Sequence, residues 1–399
     1  MRNDLSRREL LACAGAAALS PLAAFGRQAP AEPVSVAECA SYGSELLPAL
    51  ERMFDQLGGL GRLVKGKTVA IKLNLTGIPS YRLGHTPAED AHWTHPRVVA
   101  ATVHLLGRAG ARRIRLLESP WSTADPLEEY MLEASWEPRD ILSAADGVEF
   151  ENTNWLGNAK RYSRFAVPGG GLLFPAYDLN HSYEDCDVFV SIAKMKEHAT
   201  TGVTLSMKNC FGITPCTIYG DGAGVDEPSE FPKGGRQPLH SGYRQPSKSA
   251  LPEKDPTSSR EGGYRVPRAV ADLAAARPIH LAIIEGIHSM AGGEGPWIPR
   301  CAPVRPGVMV VGLNAVNTDA VATAVMGFDP MADHGTAPFE KSDSTLRLAE
   351  ELGVGTRDLR RIEVRGTSIR DALFDFRKQH PAKRIWTDSR LHAQIFRAA

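Results

Sequence analysis

Apolar positions along this chain alternate between short continuous runs and longer stretches in which they return every three or four residues. The runs at 68–73, 113–118, 148–151, 187–192, 280–285, 308–312 and 361–364 predict strands. Between them, 44–57, 96–109, 139–145, 203–211, 268–275, 318–326 and 344–352 carry the spacing of amphipathic helices. The β-branched and aromatic run at 187–192 suits a strand covered on both faces. Strands alternating with helices predict an α/β fold: a mainly parallel sheet with helices on both faces. Residues 165–178, with Gly169, Gly170 and Gly171 between apolar stretches, predict one added β-hairpin. In sheets of this kind the ligand crevice lies beyond the carboxyl ends of the strands.

Two stretches break the pattern. From 217 to 265 the composition shifts to Gly, Pro, Ser and charge, which predicts a long irregular insertion, either a lid or a solvated excursion. At the amino terminus, Ser6-Arg7-Arg8-Glu9-Leu10-Leu11 and the mildly apolar run to Leu19 read as a twin-arginine export signal. The expected organisation is a leader at 1–30 and one α/β domain at 31–399. The export machinery would be a partner, and the mature chain would work in the periplasm or otherwise outside the cytoplasm. No later segment approaches the roughly 20 apolar residues needed to span a bilayer.

The chain has 399 residues, with 46 basic side chains balanced by 46 acidic ones. That balance removes the electrostatic reason to expect nucleic-acid binding. Cys13 falls in the leader; Cys39, Cys186, Cys210, Cys216 and Cys301 form no CxxC, so no iron–sulfur cluster is expected. Cys210 and Cys216 are read either as a disulfide or as two separate core residues.

Candidate chemistry gathers at predicted strand ends. Lys194, Lys196 and His198 are spaced by two, so an extended chain points all three the same way. Thr201 and Thr204 then open the predicted helix that carries Lys208 and Asn209. Lysines beside free helix-start amides would bind an anion. Lys72 and Asn74 end the strand at 68–73, Glu118 ends the next, and Glu285 ends the strand at 280–285. His95 precedes a helix for which Thr94 or His95 is the cap and Pro96 the first residue. Asp319 sits at a helix start where capping alone would account for it.

AIKLN at 70–74, THP at 94–96, AKMKEHATTGVTLSMKNCFG at 193–212 and EGIHSMAGGEGP at 285–296 together resemble the family known as domain of unknown function 362. GLNAVNTDAVATAVMGFDP at 312–330 agrees as well. The resemblance carries over Lys72, Asn74, His95, Lys194, Lys196, His198, Thr204, Lys208, Asn209, Glu285 and Asp319. Many members of that family carry a ferredoxin-like module, which implies redox chemistry; this chain lacks its cysteine signature.

The expected function is that of an exported enzyme acting on a small anionic substrate or cofactor, with redox chemistry favoured. Lys194, Lys196 and Lys208 would hold the anion, and His198 or Glu285 would transfer the proton. The alternatives are an extracytoplasmic protein that captures an anionic ligand, and a metal-binding protein using His95, His198 and Glu285.

Overall fold

A computed structural model describes residues 28–121, 123–156, 161–223, 232–243 and 246–379. Residues 1–27 of the expected export leader, with Arg7, Arg8 and Cys13, lie outside the described residues, as do 224–231 and 244–245 of the insertion. Four strands come first: β1 (Val34–Glu38), β2 (Thr68–Lys72), β3 (Arg113–Glu118) and β4 (Val148–Asn152). A hairpin of β5 (Ser163–Ala166) and β6 (Ala176–Leu179) precedes β7 (Val188–Lys194). A smaller one, β8 (Glu197–His198) and β9 (Gly202–Val203), follows it. The rest are β10 (Leu281–Gly286), β11 (Ser289–Ala291), β12 (Ala302–Val304), β13 (Val308–Gly312) and β14 (Val364–Gly366).

Eight strands form one sheet in the order β14-β1-β13-β10-β7-β2-β3-β4. β13 runs antiparallel to both its neighbours, and every other pairing in that sheet is parallel. Successive side chains of a strand point to opposite faces, so each central strand feeds two cores. Val69 and Ile71 of β2 join Val188, Val190 and Ile192 of β7 under the helices Leu46–Gln56 and Pro96–Arg108. Ala70 and Phe189 face the other way, under the helices Gly262–Ala276 and Ala315–Val325. Each large apolar side chain removed from water here contributes about 1.5–3 kcal/mol. The mainly parallel α/β architecture expected from the apolar pattern is the one observed.

The differences have local causes. β1 was not expected, because its Val34 and Val36 alternate with a Ser and an Ala. It nevertheless inserts between β13 and β14. The expected strand at 361–364 is displaced by a short 3-10 turn, Leu359–Arg361, and β14 starts at Val364. The helix expected at 268–275 begins at Gly262, its first turns hidden by Pro267 within it. The hairpin of β5 and β6 forms its own two-stranded sheet beside the large one. Its turn is held by the Asp272 carboxylate, which accepts the amides of Leu172, Leu173 and Phe174.

The helix expected at 203–211 is broken into three pieces. β9 ends at Val203, a helix spans Leu205–Asn209, and a 3-10 turn follows at Cys210–Ile213. Leu205 has a φ of 46°, the left-handed region that a branched side chain rarely enters. That residue turns the chain from the hairpin into the helix. Cys210 and Cys216 form no disulfide with each other, so of the two readings it is that of two separate core residues that the structure bears out.

Candidate functional site

Parallel strands end together, and here they end in charge. The β2 and β3 ends bring Lys72 against Glu118, and the β7 and β10 ends bring Lys194 within 2.5 Å of Glu285. All four side chains are buried. Lys72 Nζ also donates to the Leu73 carbonyl at 2.7 Å and to Asn209 Oδ1 at 3.4 Å. Burial pushes both lysine pKa values down, and the adjacent carboxylate pulls each partly back up. Breaking a buried pair of this kind leaves an uncompensated charge, a cost of about 3–5 kcal/mol.

Beyond the Lys72–Glu118 pair lies a narrow cleft of about 90 Å³. Asn74, His198, Thr204, Lys208 and Asn209 line it, all of them expected site residues. Lys208 lies with its ammonium 4.4 Å from the centre of the Phe211 ring. Among the described residues it has neither a hydrogen-bond acceptor nor a carboxylate within ion-pair distance. Burial pushes its pKa down to about 7, with Glu294 opposing and Arg236 and Lys72 adding to the fall. Thr204 is buried, and its Oγ1 has no partner among the described residues. A buried hydroxyl left unpaired costs about 1–3 kcal/mol, and a ligand oxygen would relieve it.

His198 closes one wall. Its Nδ1 accepts the Thr200 amide at 3.0 Å, which assigns the proton of the neutral ring to Nε2. Burial, then the charges of Lys208 and Lys196, hold its pKa well below the usual histidine value. The ring is therefore a neutral donor. Asn209 is fixed by Nδ2 bonds to Ser191 Oγ at 3.0 Å and the Ile192 carbonyl at 3.2 Å. Asn74 donates to Thr76 Oγ1 and accepts the Lys194 amide, tying the cleft to the neighbouring strand end.

Six expected site residues stand elsewhere. Glu285 is taken up by Lys194 and by Tyr42, whose hydroxyl donates to it at 2.6 Å. Lys194 also donates to the carbonyls of Glu89 and His288. His95 stacks on Tyr42 with ring centroids 3.6 Å apart, and its Nδ1 caps the following helix through the Arg97 amide. Lys194, Glu285 and the half-buried His95 form a separate cluster, not a wall of the cleft. Lys196 points inward, donating to the carbonyls of His92 at 2.7 Å and Glu294 at 2.9 Å. Thr201 donates to the Val203 carbonyl inside its own turn.

Asp319 corrects the picture most. Its carboxylate accepts the amides of Ser206 and Met207, both at 2.9 Å, and the Ser206 hydroxyl at 2.6 Å. The helix-start amides expected to face an anion are already occupied by this internal one. The three proposed metal ligands are likewise divided, with His198 in the cleft and His95 and Glu285 in the other cluster. Among the described residues no group of three or more His, Cys, Asp and Glu is placed to hold a metal ion.

Arg236, Trp121, Phe211 and Glu294 line the cleft without having been expected there. Arg236 belongs to the insertion, where nothing in the local composition separates it from its neighbours. It donates from Nε to the Thr214 carbonyl at 2.9 Å and from Nη2 to the Ser119 carbonyl at 2.9 Å. Glu118 was read as a carboxylate at a strand end, and its place beside Lys72 was the available signal. Glu294 fixes the turn after β8 by accepting the Ala199 amide at 2.9 Å.

The chain matches, over residues 69–324, the family described as Domain of unknown function (DUF362). It is 28% identical over 186 residues to a thylakoid-associated protein of Synechocystis sp., covering 46% of this chain and 50% of that one. The chain thus spans about half the length of that curated relative. A crystal structure of a Thermotoga maritima protein aligns with a TM-score of 0.35 and 13% identity, over 67% of this chain and 55% of the other.

Proposed function

The chain belongs to the DUF362 family, and from the geometry of its cleft we propose that it is an enzyme acting on a small anionic substrate. One observation carries this reading. Among the described residues, an ammonium without a counter-ion within ion-pair distance and a buried hydroxyl without a partner line the same hollow, at the carboxyl edge of a parallel sheet. A phosphate or carboxylate would accept from Lys208, Thr204 and the Nε2–H of His198 together. With a pKa near neutrality, Lys208 is the group suited to exchange a proton with the bound substrate. His198 takes the role of a neutral donor that orients the anion and polarises the bond beside it. Lys72 and Glu118 hold the floor, and Arg236 adds positive charge from the insertion.

These residues supply charge and proton transfer; an electron carrier for redox chemistry would be the substrate or a bound cofactor itself. The twin-arginine leader would place the activity outside the cytoplasm. Titration calorimetry with inorganic phosphate and with sulfate tests the binding, using the wild type, Lys208→Met and Thr204→Val. The wild type is expected to bind in the millimolar range or tighter and both variants to lose at least tenfold. A wild type that binds neither ion would overturn the reading. Mass spectrometry of what co-purifies from the native compartment then supplies the substrate. If that compound binds unchanged after prolonged incubation, the protein captures a ligand instead of transforming it.

A further inference from the structure

His198 borders two hollows. The cleft described above is one; the other is a groove of about 720 Å³ lined by Glu197, His198, Ala199 and Gly202 of the β8–β9 hairpin. The difference in size is informative. Organic ligands occupy pockets of roughly 300–1,000 Å³, a range that includes the groove and excludes the cleft. Resting on the anion reading of the cleft, we infer that the substrate is elongated, with its anionic terminus at Lys208 and Thr204 and its organic body in the groove past His198.

The groove has the chemistry for such a body. Ile298, Phe328 and Pro338 offer apolar surface, and Arg300 and Lys341 stand exposed on its rim. Neither cation has an ion-pair partner among the described residues, so both are available to a polar or second anionic group at the far end. Glu197 and Glu340 also line the groove; Glu197 is engaged with the Gly292 amide at 2.6 Å. Arg300 adopts a φ of 70°, a left-handed conformation that non-glycine residues rarely enter. That turn sets Arg300 on the rim, against Gly292, where an added Cβ would meet the Arg300 carbonyl at 2.8 Å. The same imidazole therefore faces both the anionic end of the ligand and the start of its body, the position from which a donor reaches the bond joining them.

The test compares inorganic phosphate with phenyl phosphate and hexyl phosphate by calorimetry on the intact protein. Both esters are expected to bind at least tenfold more tightly than inorganic phosphate. Ala199→Trp and Pro299→Trp, which fill the groove from exposed positions in two separate segments of its lining, should remove that gain. Their melting temperatures and their affinity for inorganic phosphate should stay at the wild-type level, which shows that the fold and cleft are intact. Equal affinity for all three probes, or a gain that survives both tryptophans, overturns the inference while leaving the cleft reading in place. Absence of phosphate binding by the wild type removes both.

Discussion

Lys208 is the residue on which the candidate site turns, and its titration gives the site a pH signature. With a pKa of about 7 it is charged on the acid side of neutrality and uncharged on the alkaline side. From about pH 6 to about pH 8 the charged fraction falls about tenfold, and affinity for an anion that needs the ammonium falls with it. Sulfate does not titrate in that range, so its binding is expected to weaken by that factor. Lys208→Arg keeps a permanent charge and should flatten the profile. Calorimetry at constant ionic strength reads both, and a flat wild-type profile would take Lys208 out of the site. Lys72 behaves differently, because it is already paired. Lys72→Met strands the Glu118 carboxylate and should destabilise the fold by about 3–5 kcal/mol, whereas adding Glu118→Gln should recover most of that loss. Urea unfolding of the four proteins in the cycle measures it; additive effects would mean that the pair does not interact.

The short helix Leu205–Asn209 carries Lys208 and Asn209, and it depends on one carboxylate from another helix. Asp319 satisfies two of its first amides and the Ser206 hydroxyl, so this five-residue helix needs no length of its own to persist. Asp319→Asn presents an amide where an acceptor is needed and is expected to cost about 1–3 kcal/mol. The amides of Ser206 and Met207 should lose protection from hydrogen exchange, and sulfate affinity should fall although Asp319 touches no part of the cleft. Unchanged protection at those two positions would show that the cap is dispensable. This element also marks the limit of what the chain reveals by itself. Strands β2, β3, β7, β10 and β13 were legible because each is a buried apolar run, and six cleft residues, Lys72 among them, were legible because they sit at or after such runs. The break at Leu205 was not, since a helical spacing of Val203, Met207 and Phe211 is indifferent to one residue entering the left-handed region. Asp319 was read as a cap for its own helix, and only the packing of that helix shows which amides it serves. Arg236 reaches the cleft from the insertion through contacts that no local pattern encodes.

At the scale of the whole molecule, the edge that gathers the lysines and histidines makes stability depend on pH in a distinctive way. His95 is pushed down to about 3 and His240 to about 4, and His92 and His198 lie well below the usual value, in each case chiefly by burial. Near pH 5 the unfolded chain therefore takes up protons that the folded one refuses, and stability falls as acid is added. Asp272 and Asp319, raised by burial to about 6 and about 7, act in the opposite sense and offset half of those four histidines. The net difference is on the order of two protons in favour of the unfolded chain. Above neutrality Lys196 and Lys208, both lowered to about 7, continue the trend, because the unfolded chain keeps their protons to about pH 10. The buried thiols reverse it: Cys39, Cys210 and Cys301 are raised to about 11, 12 and 12, so unfolding releases their protons from about pH 9 upward. The melting temperature is accordingly expected to climb from about pH 5 to a maximum between about pH 8 and 9, above the usual optimum. A bound anion should change the shape of that curve, not only its height. Sulfate stabilises the ammonium form of Lys208, so a saturating concentration should raise the melting temperature more at pH 6 than at pH 8.5, and Lys208→Met should abolish the difference. Melting curves across pH with and without sulfate decide the matter. A maximum below pH 6, or a sulfate increment that is equal at both pH values, would mean that these cations do not act together as the geometry of the edge implies.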